Sequence, residues 1–85
     1  MCTMIVESAR IAGSGKGPQG WFKLNLANVS YDHPFHAPLD HALNIDFVND
    51  TDGVASRVAV ELSRESAQEL VQAINAALER GKEVH

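Results

Sequence analysis

The residues predict an α+β fold, a four-stranded antiparallel sheet followed by one C-terminal amphipathic helix, in a single domain spanning residues 1–85. Three observations lead there. Four stretches rich in β-branched or alternating apolar residues fill the first three quarters of the chain. Clusters of Gly, Pro, Asn and Asp separate them. The final quarter places apolar residues at helical spacing.

Residues 3 to 12, TMIVESARIA, read as the first strand. Residues 13 to 20, GSGKGPQG, hold four of the six glycines and one proline, and predict a flexible loop. Residues 21 to 31, WFKLNLANVSY, form the second strand. Its apolar parity changes from Phe22, Leu24 and Leu26 to Ala27, Val29 and Tyr31, which a β-bulge near Leu26 and Ala27 would repair. Residues 32 to 40 carry two prolines and form a second loop. Residues 41 to 48 alternate as a third strand, with His41, Leu43, Ile45 and Phe47 on one side. Residues 49 to 53, NDTDG, are turn chemistry, and residues 54 to 62 form a fourth strand. Ser63 is the expected N-cap of the helix, with Glu65 in its first turn. Ala67, Leu70, Val71, Ile74, Ala77 and Leu78 make its apolar stripe, and Gly81 its stop, leaving a frayed tail.

This order predicts incomplete coverage. Four strands span roughly 15–20 Å, whereas a helix is about 10 Å wide and covers about half of one face. The sheet must curl strongly, or a second subunit must pack on it. A homo-oligomer follows as the expectation, with a dimer the simplest closed form.

Composition excludes several classes. A net charge of −4, with Lys and Arg scattered, argues against nucleic acid as a partner. No apolar run reaches the roughly 20 residues of a membrane span. The start MCTMIVESAR lacks the pattern of a secretory signal, and one cysteine, Cys2, forms no internal disulfide. The expectation is a cytoplasmic protein.

The most unusual segment is Asp32-His33-Pro34-Phe35-His36-Ala37-Pro38-Leu39-Asp40-His41, which holds three of the four histidines. Imidazole is the commonest metal ligand. Spaced His-x2-His-x4-His on a proline-stiffened loop, His33, His36 and His41 are the candidate ligands of a divalent transition metal, zinc foremost, with Asp32 completing or orienting the set. The competing reading makes His33-Pro34 a turn, His36 a solvated side chain and His41 a core histidine. A metal-free variant makes one histidine a general acid or base tuned by Asp32 or Asp40, with Tyr31 as hydroxyl donor.

Other motifs are weaker. Lys16 is followed by Gly17, and the glycine-rich segment leads into a strand, so no P-loop is present. Lys16 and Gln19 on a mobile loop would close over a small ligand, although a plain hairpin connection is the blander alternative. Trp21, on the face opposite Phe22, is a candidate interface anchor or pocket wall. Lys16, Trp21 and Tyr31 are the candidate ligand-binding residues. Cys2 reads as a small buried hydrophobe. The Asp50-Thr51-Asp52-Gly53 run lacks both the acid at the first ligand position of a calcium loop, where Val48 stands, and the distal Glu, where Ala59 stands.

The segments GSGKGPQGWFKL, DHPFHAPLDHALNIDF and VAVELSRESAQELVQAI together resemble a small family of uncharacterised bacterial proteins that begin with a Met-Cys-Thr-like segment and end in one helix. The resemblance covers most of the chain. It implies a complete protein and transfers no catalytic residue. Two functional classes stand: a histidine-loop site for a divalent metal or small ligand, with an open metal position suited to hydrolysis or isomerisation, and a non-catalytic accessory subunit whose sheet face and Trp21 meet a larger protein.

Overall fold

The computed structural model describes residues 5–51 and 56–84. Strands β1 (Ile5–Gly17), β2 (Gly20–Asp32), β3 (Ala42–Val48) and β4 (Arg57–Leu62) form one open antiparallel sheet in the order β1-β2-β3-β4, and helix α1 (Arg64–Gly81) follows. The α+β arrangement is the expected one. Cys2, the 52–55 stretch and His85 lie outside the described residues.

The glycine-rich segment differs from its expectation. Residues 13 to 17 are not a loop but the upper half of β1, and Pro18 and Gln19 alone make the turn. Proline presets the turn's φ, and Gly20 takes φ +113°, a value that restarts the strand without a Cβ penalty. The glycines alternate: Gly13, Gly15 and Gly17 share one face of β1 with Leu24, Phe22 and Gly20, their partners on β2. A Cβ on Gly15 would stand 3.0 Å from Leu24 Cδ1, and one on Gly17 would stand 3.3 Å from Phe22 Cε1. Bare backbone is therefore what lets these two side chains lie across β1. A mobile lid carrying Lys16 and Gln19 does not form, because Lys16 is paired in the ladder with Trp21.

The bulge sits on the other strand. The register passes from Arg10↔Leu26 to Gly13↔Leu24, so Ile11 and Ala12 together oppose Asn25. β2 itself alternates without interruption. Its change of apolar parity instead reflects two half-cores on opposite faces. Phe22, Leu24 and Leu26 share one face with Val48 and with the alternating glycines. Ala27, Val29 and Tyr31 share the other with Leu43, Ile45, Phe47, Val58, Val60 and Leu62. Beside the bulge, Arg10 pairs with Asp50 at 2.8 Å while Asn25 exchanges hydrogen bonds with the same residue at 2.9 and 3.0 Å. The Arg10 hydrogen bond leads the groups that hold the Asp50 carboxyl below its usual range.

The expected curl is present. β1 reaches β4 although the two are opposite edges of the sheet, and the hairpin tip shares a 320 Å³ hollow with Ser56 and Arg57. The curl closes over the Leu24 side, and α1 lies on the opposite face. Ser63 Oγ accepts the Ser66 N–H at 3.1 Å, the expected N-cap. Gly81 does not stop the helix. It is the last helical residue, and Lys82, itself right-handed, caps the end with Glu79 and Arg80 carbonyls as acceptors. Among the described residues the buried apolar side chains are Leu24, Ala27, Ala42 and Ala67, so one leucine and three alanines make a thin core.

Candidate functional site

The loop between β2 and β3 is pinned from below. Glu61, near the end of β4, points away from α1, on the face of Asn44 and Asp32. Its carboxylate accepts three consecutive backbone N–H groups: those of Phe35, His36 at 3.1 Å and Ala37 at 2.9 Å. Three converging amides form an anion cradle, and the chain fills it with its own side chain. The Ala37 and Phe35 N–H groups, in that order, hold the Glu61 carboxyl below its ordinary value. Asp32 Oδ1 accepts the His33 N–H at 2.7 Å, at the point where β2 ends.

The predicted ligands divide. His41, just ahead of β3, stacks on Tyr31 with ring centroids 5.8 Å apart, and His33 stacks on His41 at 5.0 Å. The structure thus brings Tyr31, His41 and His33 into one column. His36 instead borders a shallow depression with Phe35, Arg57, Ala59 and Glu61. Asp32 and His33 together border a recess with Asn44, Asp46 and Arg57, where Arg57 Nη2 meets Asp46 at 2.7 Å. Among the described residues, no group of three His, Cys, Asp or Glu side chains is arranged to hold a metal ion. Lys16 and Trp21 are cross-strand neighbours at the hairpin tip, and Trp21 is exposed. Tyr31 lies ten residues further along β2, about 33 Å along an extended strand, so these three candidates do not line one small pocket.

Sequence reasoning missed Glu61 and Arg57. Glu61 alternates with Val60 and Leu62 and reads as a solvated outward acid; only the amides of a loop twenty-four residues away give it a role.

A second surface lies on the α1 side. Ala67 is the buried point of the helix, while Leu70, Val71, Ile74 and Leu78 are 41–66% exposed. Tyr31 and Leu43 of the sheet, with Ala67 and Val71 of α1, line an open groove of 510 Å³. A second groove on the other side of α1 runs between Leu62, Leu70 and Ala73. Among the described residues, no helix is long and apolar enough to cross a membrane.

Fold and surface define a small α+β protein with a pinned histidine loop on one side and an uncovered apolar face on the other. The chain belongs to DUF6295, a family of unknown function, whose model matches residues 1–85. No curated protein and no solved structure matches it.

Proposed function

We propose that the protein is an interaction module whose working surface is the apolar face formed by α1 and the adjoining sheet. The exposure of Leu70, Val71, Ile74 and Leu78 carries this reading. The chain presents 6758 Å² of accessible surface, against about 4,900 Å² for a compact protein of its mass. Its radius of gyration is 14.3 Å, where about 12 Å is usual for this length. Four large apolar side chains left exposed along one face of α1 mark a surface that another polypeptide covers. The histidine loop is compatible with this role, because Glu61 fixes Phe35, 98% exposed, as a stationary projection on the opposite side.

The test is whether the face belongs to the chain's own core. At concentrations where the chain runs as a single copy, Ile74→Gln is expected to change the unfolding free energy by no more than about 0.5 kcal/mol, as at an ordinary surface position. A loss of about 2–5 kcal/mol, the range of buried large-to-small changes, would show that the chain covers Ile74 itself and would end this reading.

The Tyr31–His41–His33 column favours a second reading, a ligand site on the histidine loop. A planar ligand would extend the stack, and a zinc-like ion would rely on His33 and His41, since His36 faces elsewhere. Calorimetric titration with zinc chloride tests the metal form: binding lost in His41→Ala supports it, and no heat of binding at neutral pH removes it.

A further inference from the structure

We infer that the groove between Tyr31 and the first turns of α1 binds a small amphipathic carboxylate, its acid group on Arg64 and its apolar body against Leu43 and Val71. The inference goes beyond the interaction-module reading and does not depend on it, because neither Ile74 nor Leu78 lines the groove. Its first support is charge. Arg64 lines the groove, and among the described residues no acid does. Arg10, Arg57 and Lys82 each meet a carboxylate, whereas Arg64 forms no ion pair among the described residues. It is exposed, and it is the first residue of α1, directly after the Ser63 cap. A helix start disfavours a cation. Helix stability therefore gives no reason for an arginine here; an anion in the groove does. The guanidinium fork matches the two oxygens of a carboxylate. One cation, in a chain of net charge −4, suits a monoanion and not a phosphate dianion.

Its second support is the lining. The groove measures 510 Å³, within the range of about 300–1,000 Å³ usual for small-molecule sites. Arg64, Gln68 and Gln72 follow one another at every fourth position of α1 and form a polar ridge along the groove. Ala67 and Val71 make the apolar row beside it, and Leu43 continues that row on the sheet. The ridge runs about 12 Å from Arg64 to Gln72, room for a short rigid body behind the acid group. Tyr31 closes the sheet side of the groove. His41 stacks on the Tyr31 ring at 5.8 Å, with 10° between the planes. This aromatic wall is therefore set before a ligand arrives, which lowers the ordering cost of binding and favours a flat ligand.

The probe is cinnamate, titrated into the full chain and followed through the backbone amide shifts. Cinnamyl alcohol, with the same flat body and a hydroxyl in place of the acid, is the uncharged control. Cinnamate is expected to shift the amides of Tyr31, Leu43 and residues 64 to 72, and to bind at least about tenfold more tightly than the alcohol. Arg64→Gln is expected to bring cinnamate down to the level of the alcohol while leaving the alcohol's own affinity unchanged. That unchanged value separates the loss of a charge from a folding defect. Arg64→Lys keeps the charge without the fork and is expected to fall between the two. Equal binding of acid and alcohol to the wild-type chain, or shifts that gather on another surface, overturns the carboxylate site. A preference for the acid that survives in Arg64→Gln places the anion elsewhere and overturns it too. None of these results bears on the interaction-module reading, which is decided by Ile74→Gln.

Discussion

The Glu61 carboxylate accepts the Ala37 backbone N–H at 2.9 Å, joining the end of β4 to a loop twenty-four residues earlier in the chain. With the Phe35 and His36 amides on the same carboxylate, one side chain fixes the backbone of the histidine loop. The loop's two prolines narrow its unfolded conformations, and Glu61 selects among what remains. Glu61→Ala is expected to speed hydrogen exchange at the amides of Phe35, His36 and Ala37 several-fold while leaving the β2–β3 ladder protected. Unchanged exchange at those three amides would show that the prolines alone hold the loop.

The same contact sets an acid limit. The Glu61 carboxyl is held below its ordinary 4.5 by the Ala37 and Phe35 amides, because those donors favour its charged form. A group with a lowered folded value contributes its full stabilisation above the ordinary value. The contribution falls as pH drops below that point, and is gone once pH is below the lowered value. The loop amides are therefore expected to stay docked through neutral and mildly acid solution and to exchange freely only under stronger acid. In Glu61→Gln that acid step is expected to disappear from an amide-exchange profile against pH, since no proton is then taken up at this position.

The glycine hairpin gives opposite expectations at two neighbouring sites. Gly13 has open space where a Cβ would stand, whereas Gly15 has Leu24 Cδ1 at 3.0 Å. Gly13→Ala is expected to stabilise the chain by about 0.4–1 kcal/mol through the unfolded state. Gly15→Val is expected to cost about 1–3 kcal/mol by overpacking the Leu24 side. Equal effects in urea titrations would mean that the glycines serve flexibility and not the passage of Leu24 across β1.

The order of the elements was legible in local chemistry: alternation marked the strands of residues 21 to 31 and 41 to 48, and Ser63 marked the helix start. The glycine segment misled because composition reports backbone freedom and not its use; glycines at 13, 15 and 17 repeat with the period of a strand, the signal that a smooth strand face leaves. The parity change in β2 was visible, but its cause was not. A bulge and a change of core face leave the same one-residue slip in sequence, and only the pairing distinguishes them. In the histidine loop, residue types named the candidates. Their grouping was not legible there: Tyr31, His41 and His33 stack in a column, while the His36 amide is held by Glu61, which is remote in sequence.

The helix start has its own consequence. α1 meets the sheet mainly near Ala67, so much of its length has little packing within the chain. An isolated helix of this length is marginal in water, and its cap then matters more than in a well-packed helix. Ser63→Ala removes the acceptor of the Ser66 N–H and is expected to cost about 1 kcal/mol. Ser63→Asp, which keeps an acceptor and adds a favourable charge at the helix start, is expected to retain the wild-type value. Circular dichroism through a thermal melt reads both. Equal melting of wild type and Ser63→Ala would show that α1 is held by something other than its own first turn.

The two half-cores make the sharpest contrast. Leu24 is buried under the curled hairpin, whereas Leu78 is 66% exposed on α1. Both are leucines, so the transfer free energy of the removed atoms is the same and only the surroundings differ. In the single-copy chain, Leu24→Ala is expected to cost about 2–5 kcal/mol, because it empties a site that β1 and β2 enclose. Leu78→Ala is expected to stay within about 0.5 kcal/mol there. Matching losses from both variants in the single-copy chain would mean that α1 folds back onto its own sheet along its full length, leaving no apolar face for a partner.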